Sequence, residues 1–298
     1  MKRNSIALVL AVGLQLTMSC TGSKVTSSQE PTNEDAIYNI IRYDRPLEFN
    51  LDLFDFSVPD TSRLLGAPYR PLHFWRSVYK DSLFIGIDVN YPQPGDSIGS
   101  VPWANVNFTK FFWGTLEVIA EDTSGGGSVP VRMSKRFIMK GDILAEFQKV
   151  GFDYNPRRGW ILTKISDAVF SDAGRSIVGP SSIGRIEIHP QSDSGATIVV
   201  DTHIKLLRDV PSFSMGDSVT IVIFTTDPDD IISIRYPYGS QYFTRCLTPV
   251  DSSQFVAGFR FPDYIELNHF TIDAVNAAAV DDTLKYIPNA VGVIYRVR

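Results

Sequence analysis

The sequence predicts a mainly β chain with a small helical part, in which an α+β unit precedes an all-β unit. Three observations support this fold class. A short segment near the start has helical spacing of apolar residues, long alternating segments with turn signals follow up to about residue 170, and short, evenly spaced strands follow residue 182. The order of these patterns is typical of two consecutive β-rich domains.

The first nineteen residues have the composition of a secretory leader. Lys2 and Arg3 supply positive charge, residues 6–16 form an apolar run, and residues 16–19 lead into Cys20. The run is too short to span a bilayer as a helix. This order resembles a bacterial lipoprotein signal peptide, which implies cleavage before Cys20 and lipid on its sulfur. The alternative is an ordinary secretory signal peptide (residues 1–19) followed by a coincidental cysteine.

Residues 20–33 are predicted to be a lipidated flexible tether, because polar and small side chains dominate this segment. Thr21 follows Cys20, so the aspartate that retains some lipoproteins at the inner membrane is missing from this position. The resemblance therefore implies a lipid-anchored protein of the bacterial cell envelope, with the outer membrane favoured over the inner one.

Charge and cysteine content exclude other classes of protein. The chain has 28 basic and 33 acidic residues and a net charge of −5, and no basic run after the leader is longer than a pair such as Arg157–Arg158. Nucleic-acid binding needs a basic stripe, so we expect no nucleic-acid partner. Cys246 is the only cysteine besides Cys20. We therefore expect no intramolecular disulfide in a chain lipidated at Cys20.

The first folded unit is predicted to span residues 34–170. Its helix, at about residues 34–44, begins with acidic residues and presents Ile37, Ile40 and Ile41 on one face. Gly114 is a candidate bend within a long strand. The predicted strands of this unit cover residues 82–89, 105–120, 129–140, 143–154 and 160–165.

A helix, long bent antiparallel strands and a closing Gly159-Trp160-x-Leu162-Thr163 strand together resemble the NTF2-like cone fold. The resemblance covers residues 34–170. It implies a curved sheet that wraps around helical structure and leaves an apolar pocket. An unrelated α+β sheet domain is the alternative.

The polar, glycine-rich residues 171–182 are predicted to be a linker. After it, the strand 218–225 is predicted to point Val219, Ile221 and Ile223 inward. Its Gly-Asp-Ser-Val-Thr-Ile start resembles the second strand of bacterial immunoglobulin-like modules, which implies an immunoglobulin-like β-sandwich over residues 183–298. The other predicted strands are 185–189, 197–207, 231–236, 254–261, 270–275 and 291–297.

Local catalytic and metal-binding signatures are absent from the sequence. It contains no His-x-His, Cys-x-x-Cys or P-loop pattern. Residues 95–99 match the Gly-x-Ser-x-Gly spacing, but they stand in a turn between predicted strands and do not form the elbow between a strand and a helix that a nucleophile needs. We therefore predict no catalytic residue, no metal site and no cofactor. The acidic segments 227–230 and 281–282 leave calcium binding as an alternative to plain turns.

Aromatic residues are concentrated in the first unit, and core packing is their simplest interpretation. The alternative is a platform or pocket for an apolar ligand or a sugar ring. Strand alternation places Phe111 and Trp113 on one face and Phe112 on the other. The candidate ligand-binding residues are Trp103, Phe111, Trp113, Tyr154 and Trp160.

The sequence thus favours an envelope lipoprotein with a non-catalytic recognition or assembly role. Its expected partners are the membrane, through lipid on Cys20, and an envelope protein or a glycan. The alternatives are a small-ligand or glycan binder that uses an aromatic pocket in the first unit, and an enzyme with its site in that pocket. An exposed apolar patch would favour an assembly role. A deep pocket would favour ligand binding, and a buried pair of titratable groups would favour catalysis.

Overall fold

The computed structural model of the chain describes most residues from Thr32 to Arg298. Cys20, the tether up to residue 31 and most of the predicted 171–182 linker lie outside the described residues. The described ranges are 32–51, 57–59, 69–97, 99–122, 129–173, 183–192, 196–200, 203–226, 230–238, 241–251, 253–261, 265–275, 286 and 288–298.

The structure is mostly β, as predicted. Its helical elements are α1 (Asn33–Asn39), a π-helical turn (Ile40–Asp44) and two 3₁₀ turns (Pro156–Gly159 and Leu207–Asp209). The strands are β1 (Ser57–Pro59), β2 (Tyr69–Asn90), β3 (Trp103–Asp122), β4 (Val129–Lys149), β5 (Trp160–Ile165), β6 (Ala168–Asp172), β7 (Ile183–Pro190), β8 (Ile198–Val199), β9 (Lys205–Leu206), β10 (Ser212–Phe213), β11 (Ser218–Thr225), β12 (Ile231–Tyr238), β13 (Gln241–Cys246), β14 (Thr248–Pro249), β15 (Gln254–Arg260), β16 (Ile265–Val275) and β17 (Asn289–Val297).

The predicted helix at residues 34–44 is confirmed, and its last turn is π-helical. Thr32 caps the helix, since its hydroxyl oxygen accepts a hydrogen bond from the Asp35 backbone N–H at 3.1 Å. Ile37 and Ile41 are fully buried against the sheet. Packing of this apolar face holds the short helix in place, because a helix of this length is marginal in water by itself. In the described residues, no helix is long and apolar enough to cross a membrane.

Three very long antiparallel strands, β2, β3 and β4, contain 22, 20 and 21 residues. The sequence predicted a break near Gly141, but β4 continues through it. A Cβ atom at Gly141 would lie 2.6 Å from the Phe170 ring, so glycine lets that ring pack against the strand. Gly114 likewise leaves room for the Phe137 ring at 2.6 Å. The bend predicted at Gly114 corresponds to a bulge in the neighbouring β2, between Val78 and Lys80.

Twelve strands form one sheet, whose main order is β1-β2-β3-β4-β6-β17-β16-β12-β13. The sheet coils strongly, and its edge strands β1 and β13 approach each other within 8 Å between Cα atoms. Its inner face and α1 together enclose one hydrophobic core, which includes Phe108, Phe147 and Ile294. Face alternation along β3 follows the prediction, since Phe112 is buried inside while Phe111 and Trp113 are half-buried on the outer face.

A second sheet of five strands has the order β14-β15-β11-β7-β8. Its inner side chains and those of β12, β16 and β17 form a second core. Val219, Ile221 and Ile223 are completely buried there, which confirms the predicted facing of β11. The division of the chain at residues 171–182 stays a prediction, and the strands on its two sides share one sheet because β6 pairs with β17.

A buried ionic cluster connects β2 with β16 across the inside of the coiled sheet. The Arg76 guanidinium forms a bidentate pair with the Asp273 carboxylate, in which Nη2 lies 2.7 Å from Oδ1. Its Nε also donates to the Tyr286 hydroxyl at 2.6 Å. Burial by itself would lower the pKa of Arg76, but Asp273 and Tyr286 outweigh it and raise the pKa. Arg76 therefore stays charged and bonded in the core.

Replacing one partner of this pair should destabilise the fold strongly. We expect Arg76→Met to reduce the free energy of unfolding by about 3–5 kcal/mol, because it leaves the Asp273 charge buried without its counter-ion. The double variant Arg76→Met/Asp273→Leu should lose less than the single variant. Urea unfolding followed by tryptophan fluorescence measures both. A single-variant loss below about 1 kcal/mol would mean that water solvates the remaining charge.

Candidate functional site

The structure distributes the five candidate ligand-binding residues over three places. Phe111 and Trp113 lie together on the outer face of β3, with ring centroids 6.1 Å apart. Trp160 is buried in the core, and its indole N–H donates to the Asn33 side-chain oxygen at 3.1 Å. Trp103 and Tyr154 are exposed at the end of the sheet where the chain enters α1. Their role in ligand binding stays a prediction.

Phe111 and Trp113 belong to a larger surface, the outer aromatic face, formed by Tyr79, Phe84, Phe111, Trp113 and Ile138. Tyr79, Phe84 and Ile138 are exposed, while the two β3 rings are half-buried. The strand register makes this surface continuous, because Trp113 lies directly opposite both Lys80 of β2 and Ile138 of β4.

Cations surround the aromatic rings on this face. The Lys80 ammonium lies 4.8 Å from the Trp113 ring centroid, and the Arg132 guanidinium lies 5.7 Å from that of Trp75. Arg136 is exposed on β4 two residues before Ile138. The carboxylate of Glu117 is bonded to Ser134 at 2.7 Å and to Arg132 at 3.3 Å. This part of an acidic chain is therefore locally cationic and aromatic.

The outer aromatic face continues into the second half of the molecule. Asp142 of β4 lies opposite Val169 of β6, which in turn lies opposite Val291 of β17. Residues that face each other across a ladder project to the same side of the sheet. Val169 is exposed, whereas Val291 is buried under the second sheet. The same side of the large sheet is thus covered at β17 and open at β6.

A cavity of about 310 Å³ lies between the segment after α1 and the long strands. Its walls are mainly apolar, with Phe49, Leu51 and Phe108 buried at its base. Lys110 also lines it, 5.2 Å from the Phe112 ring centroid and paired with Asp81 at 2.6 Å. The size is at the lower limit for small-molecule sites, and the chemistry suits a small apolar body with an acidic group.

Comparison with protein-family models, curated proteins and solved structures finds no match to this chain.

Other buried titratable groups lie on the inner face of the large sheet. His269 of β16 is fully buried, and burial lowers the pKa of its imidazole to about 4, with nearby Lys205 adding to the shift and the Leu47 backbone opposing it. Asp167 accepts hydrogen bonds from Lys205 at 2.7 Å and from the Ile294 backbone N–H at 2.8 Å. In the described part of the chain, no three His, Cys, Asp or Glu side chains are grouped as a metal site.

Sequence reasoning missed the inward charges and the cation–aromatic pairs. Arg76 and Lys110 occupy positions at which alternation predicts an apolar residue, and that mismatch was the available signal. The acidic segments considered for calcium lie largely outside the described residues, with Asp230 as the described exception, and Asp230 is buried.

The neutral state of His269 should make stability depend on pH. The unfolded chain takes up a proton near pH 6.5, whereas the folded imidazole does so only near pH 4. This contribution to stability is therefore present above pH 6.5 and is lost as the pH falls towards 4, by about 2 kcal/mol at pH 5. The decrease in the free energy of unfolding between pH 8 and pH 5 should be smaller by that amount in His269→Gln than in the wild type. Urea titrations of both proteins measure the difference, and parallel pH profiles would contradict the assignment.

Proposed function

We propose that the chain is a lipoprotein of the bacterial cell envelope, anchored through Cys20, with a non-catalytic recognition role. The recognition surface is the outer aromatic face, and the occupant is an acidic protein partner. The observation that carries the proposal is an exposed aromatic and aliphatic surface whose flanking charges are mainly Lys80, Arg132 and Arg136. Aromatic residues and arginine are enriched in protein interfaces.

The charge pattern favours a protein with carboxylates around an apolar centre. The whole chain has a net charge of −5, so a locally cationic face has the opposite sign to most of the surface. Such local complementarity steers a partner and selects its orientation. The exposed side of β6 is continuous with the side of β17 that packs against the second sheet. A β-rich partner would pack on β6 in the same way.

We propose the finer fold assignments on the same basis. An NTF2-like curved sheet for residues 34–170 is supported by α1 packing inside three long antiparallel strands. An immunoglobulin-like sandwich for residues 183–298 is supported by two sheets that share one core.

A second candidate function is the binding of a small amphipathic acid in the cavity lined by Phe49, Leu83, Phe108 and Lys110. Its apolar walls would hold the hydrocarbon part, while Lys110 would exchange its ion pair with the exposed Asp81 carboxylate for the ligand. We propose no catalytic residue.

The lipid anchor is tested by changing Cys20 to Ser in the full chain expressed with its leader. The wild-type protein should fractionate with membranes and carry the mass of lipid on its first mature residue, whereas Cys20→Ser should lose that mass. Cys246→Ser is the matched control and should behave as wild type. A wild-type protein without added mass would refute the anchor.

The docking surface is tested with a photo-crosslinking residue at position 138 in cells. We expect a protein-sized adduct that decreases at least about ten-fold in the charge-reversal variant Lys80→Glu/Arg136→Glu, because complementary charge is removed from the face. Arg208→Glu, an exposed arginine elsewhere, should leave the adduct unchanged. An adduct with twice the mass of the chain, an adduct insensitive to the charge reversal, or no adduct would each contradict the proposal.

A further inference from the structure

Three segments meet at the end of the molecule where the chain enters the fold. They are α1, the β2–β3 connection and the β4–β5 connection. Asn33 joins them, since its amide N–H donates to the Tyr91 hydroxyl at 2.7 Å while its side-chain oxygen accepts from Arg158 and Trp160 at 3.1 Å each. The Lys149 backbone N–H also donates to the Pro102 carbonyl oxygen at 2.9 Å. We call this part of the molecule the entry end.

The entry end exposes a group of large apolar side chains. Phe152 and Tyr154 are 66% and 77% exposed, and their rings stack with centroids 5.2 Å apart. The exposed residues that define the surface are Tyr38, Tyr91, Trp103, Val150, Phe152 and Tyr154. Tyrosine and tryptophan, which dominate this set, are the residues that prefer the boundary between lipid headgroups and hydrocarbon.

The loop that carries Phe152 and Tyr154 is held in a defined shape. The Asn155 side-chain oxygen accepts a hydrogen bond from the Phe152 backbone N–H at 2.7 Å. Arg157 and Arg158 both have φ of 52°, a left-handed conformation that costs free energy for residues other than glycine. Arg157 forms a bidentate ion pair with Asp44, at 2.7 and 2.8 Å, which stabilises that conformation. The two rings are thus displayed on a fixed loop.

The position of the lipid anchor selects the occupant of this surface. Only twelve residues, Cys20 to Pro31, separate the proposed anchor from Thr32. At no more than 3.6 Å per residue, they reach about 40 Å when fully extended. An acyl chain on Cys20 therefore keeps the entry end close to the bilayer.

We propose that the entry end is a second membrane contact, in which Trp103, Phe152 and Tyr154 insert among the lipid headgroups. The inference rests on the proposed lipid anchor and names the bilayer as the partner of this surface. Segments 33–44, 91–103 and 149–158 contain five acidic and four basic residues. Several of them pair, such as Arg158 with Asp153 at 3.0 Å. The contact is therefore made by aromatic rings rather than by attraction to anionic lipid.

The direct test uses the lipidated mature chain in phosphatidylcholine vesicles, with Cys246→Ser as background. Spin labels are placed at Tyr154→Cys and, as control, at Tyr79→Cys on the outer aromatic face, which is exposed to a similar degree. The label at 154 should be several times more accessible to oxygen than to a nickel chelate, whereas the label at 79 should be accessible to both. Two water-exposed labels would overturn the inference.

A second measurement uses the Cys20→Ala mature chain, which has no site for lipid. Phe152→Ser/Tyr154→Ser should weaken its partitioning into the same vesicles about ten-fold or more, because two aromatic side chains no longer leave water. Phe84→Ser/Tyr79→Ser is the matched control and should partition as the parent does. Partitioning should be the same at low and high salt. Equal weakening by both double variants, or strong salt dependence, would refute an aromatic contact.

Failure of the anchor and failure of the contact are distinguishable. If Cys20 carries lipid but the label at 154 stays in water, the lipoprotein proposal stands and this inference is wrong. If Cys20 carries no lipid, the labels are read on the unlipidated chain with excess vesicles. If the 154 label is immersed in lipid there, the proposed membrane contact stands without the anchor. If that label is exposed to water, the anchor and the membrane contact are both wrong.

Discussion

The bidentate pair between Arg76 and Asp273 holds the two ends of the coiled sheet in their relative positions. Arg76 lies on the second strand of the sheet, and Asp273 lies near the opposite edge. Burial makes both charges costly unless they remain together, so the pair fixes how far the sheet can open. The approach of β1 to β13, and with it the enclosed core around Phe108 and Phe147, depends on this constraint.

Apart from the cavity beside Lys110, the described side chains pack the inner face of the sheet. The proposed protein partner would therefore have to bind the outside of the sheet or its ends. The outer aromatic face and the entry end are separate surfaces with different chemistry. The first places cations such as Lys80 against aromatic rings, whereas the second combines exposed rings with nearly balanced charge. A protein anchored at its entry end would present the strands of the outer aromatic face away from the anchor. One surface would then contact lipid while the other contacts a partner.

Local elements could be predicted from the sequence, whereas their assembly could not. Period-two alternation identified β11 and the facing of Phe112, because burial on one side of a strand leaves a direct trace in the sequence. Pairing of β6 with β17 joins residues more than a hundred positions apart, and alternation contains no information about such partners. The charges of Arg76 and Asp273 were visible only as exceptions within apolar patterns. The sequence showed that the first unit is rich in aromatic residues. It did not show that the five aromatic candidates lie on different surfaces.

The bulge in β2 shows how the chain obtains curvature. Tyr79 is the one residue between Val78 and Lys80 that the pairing with β3 passes over. A chain without Tyr79 would keep every later side chain of β2 on its present side, since Lys80 would follow Val78 in regular alternation. The extra residue therefore makes β2 locally longer than the paired segment of β3, and this difference in length bends the pair of strands. Its loss would remove one ring from the outer aromatic face, leave the other side chains of β2 on their present faces and flatten the sheet.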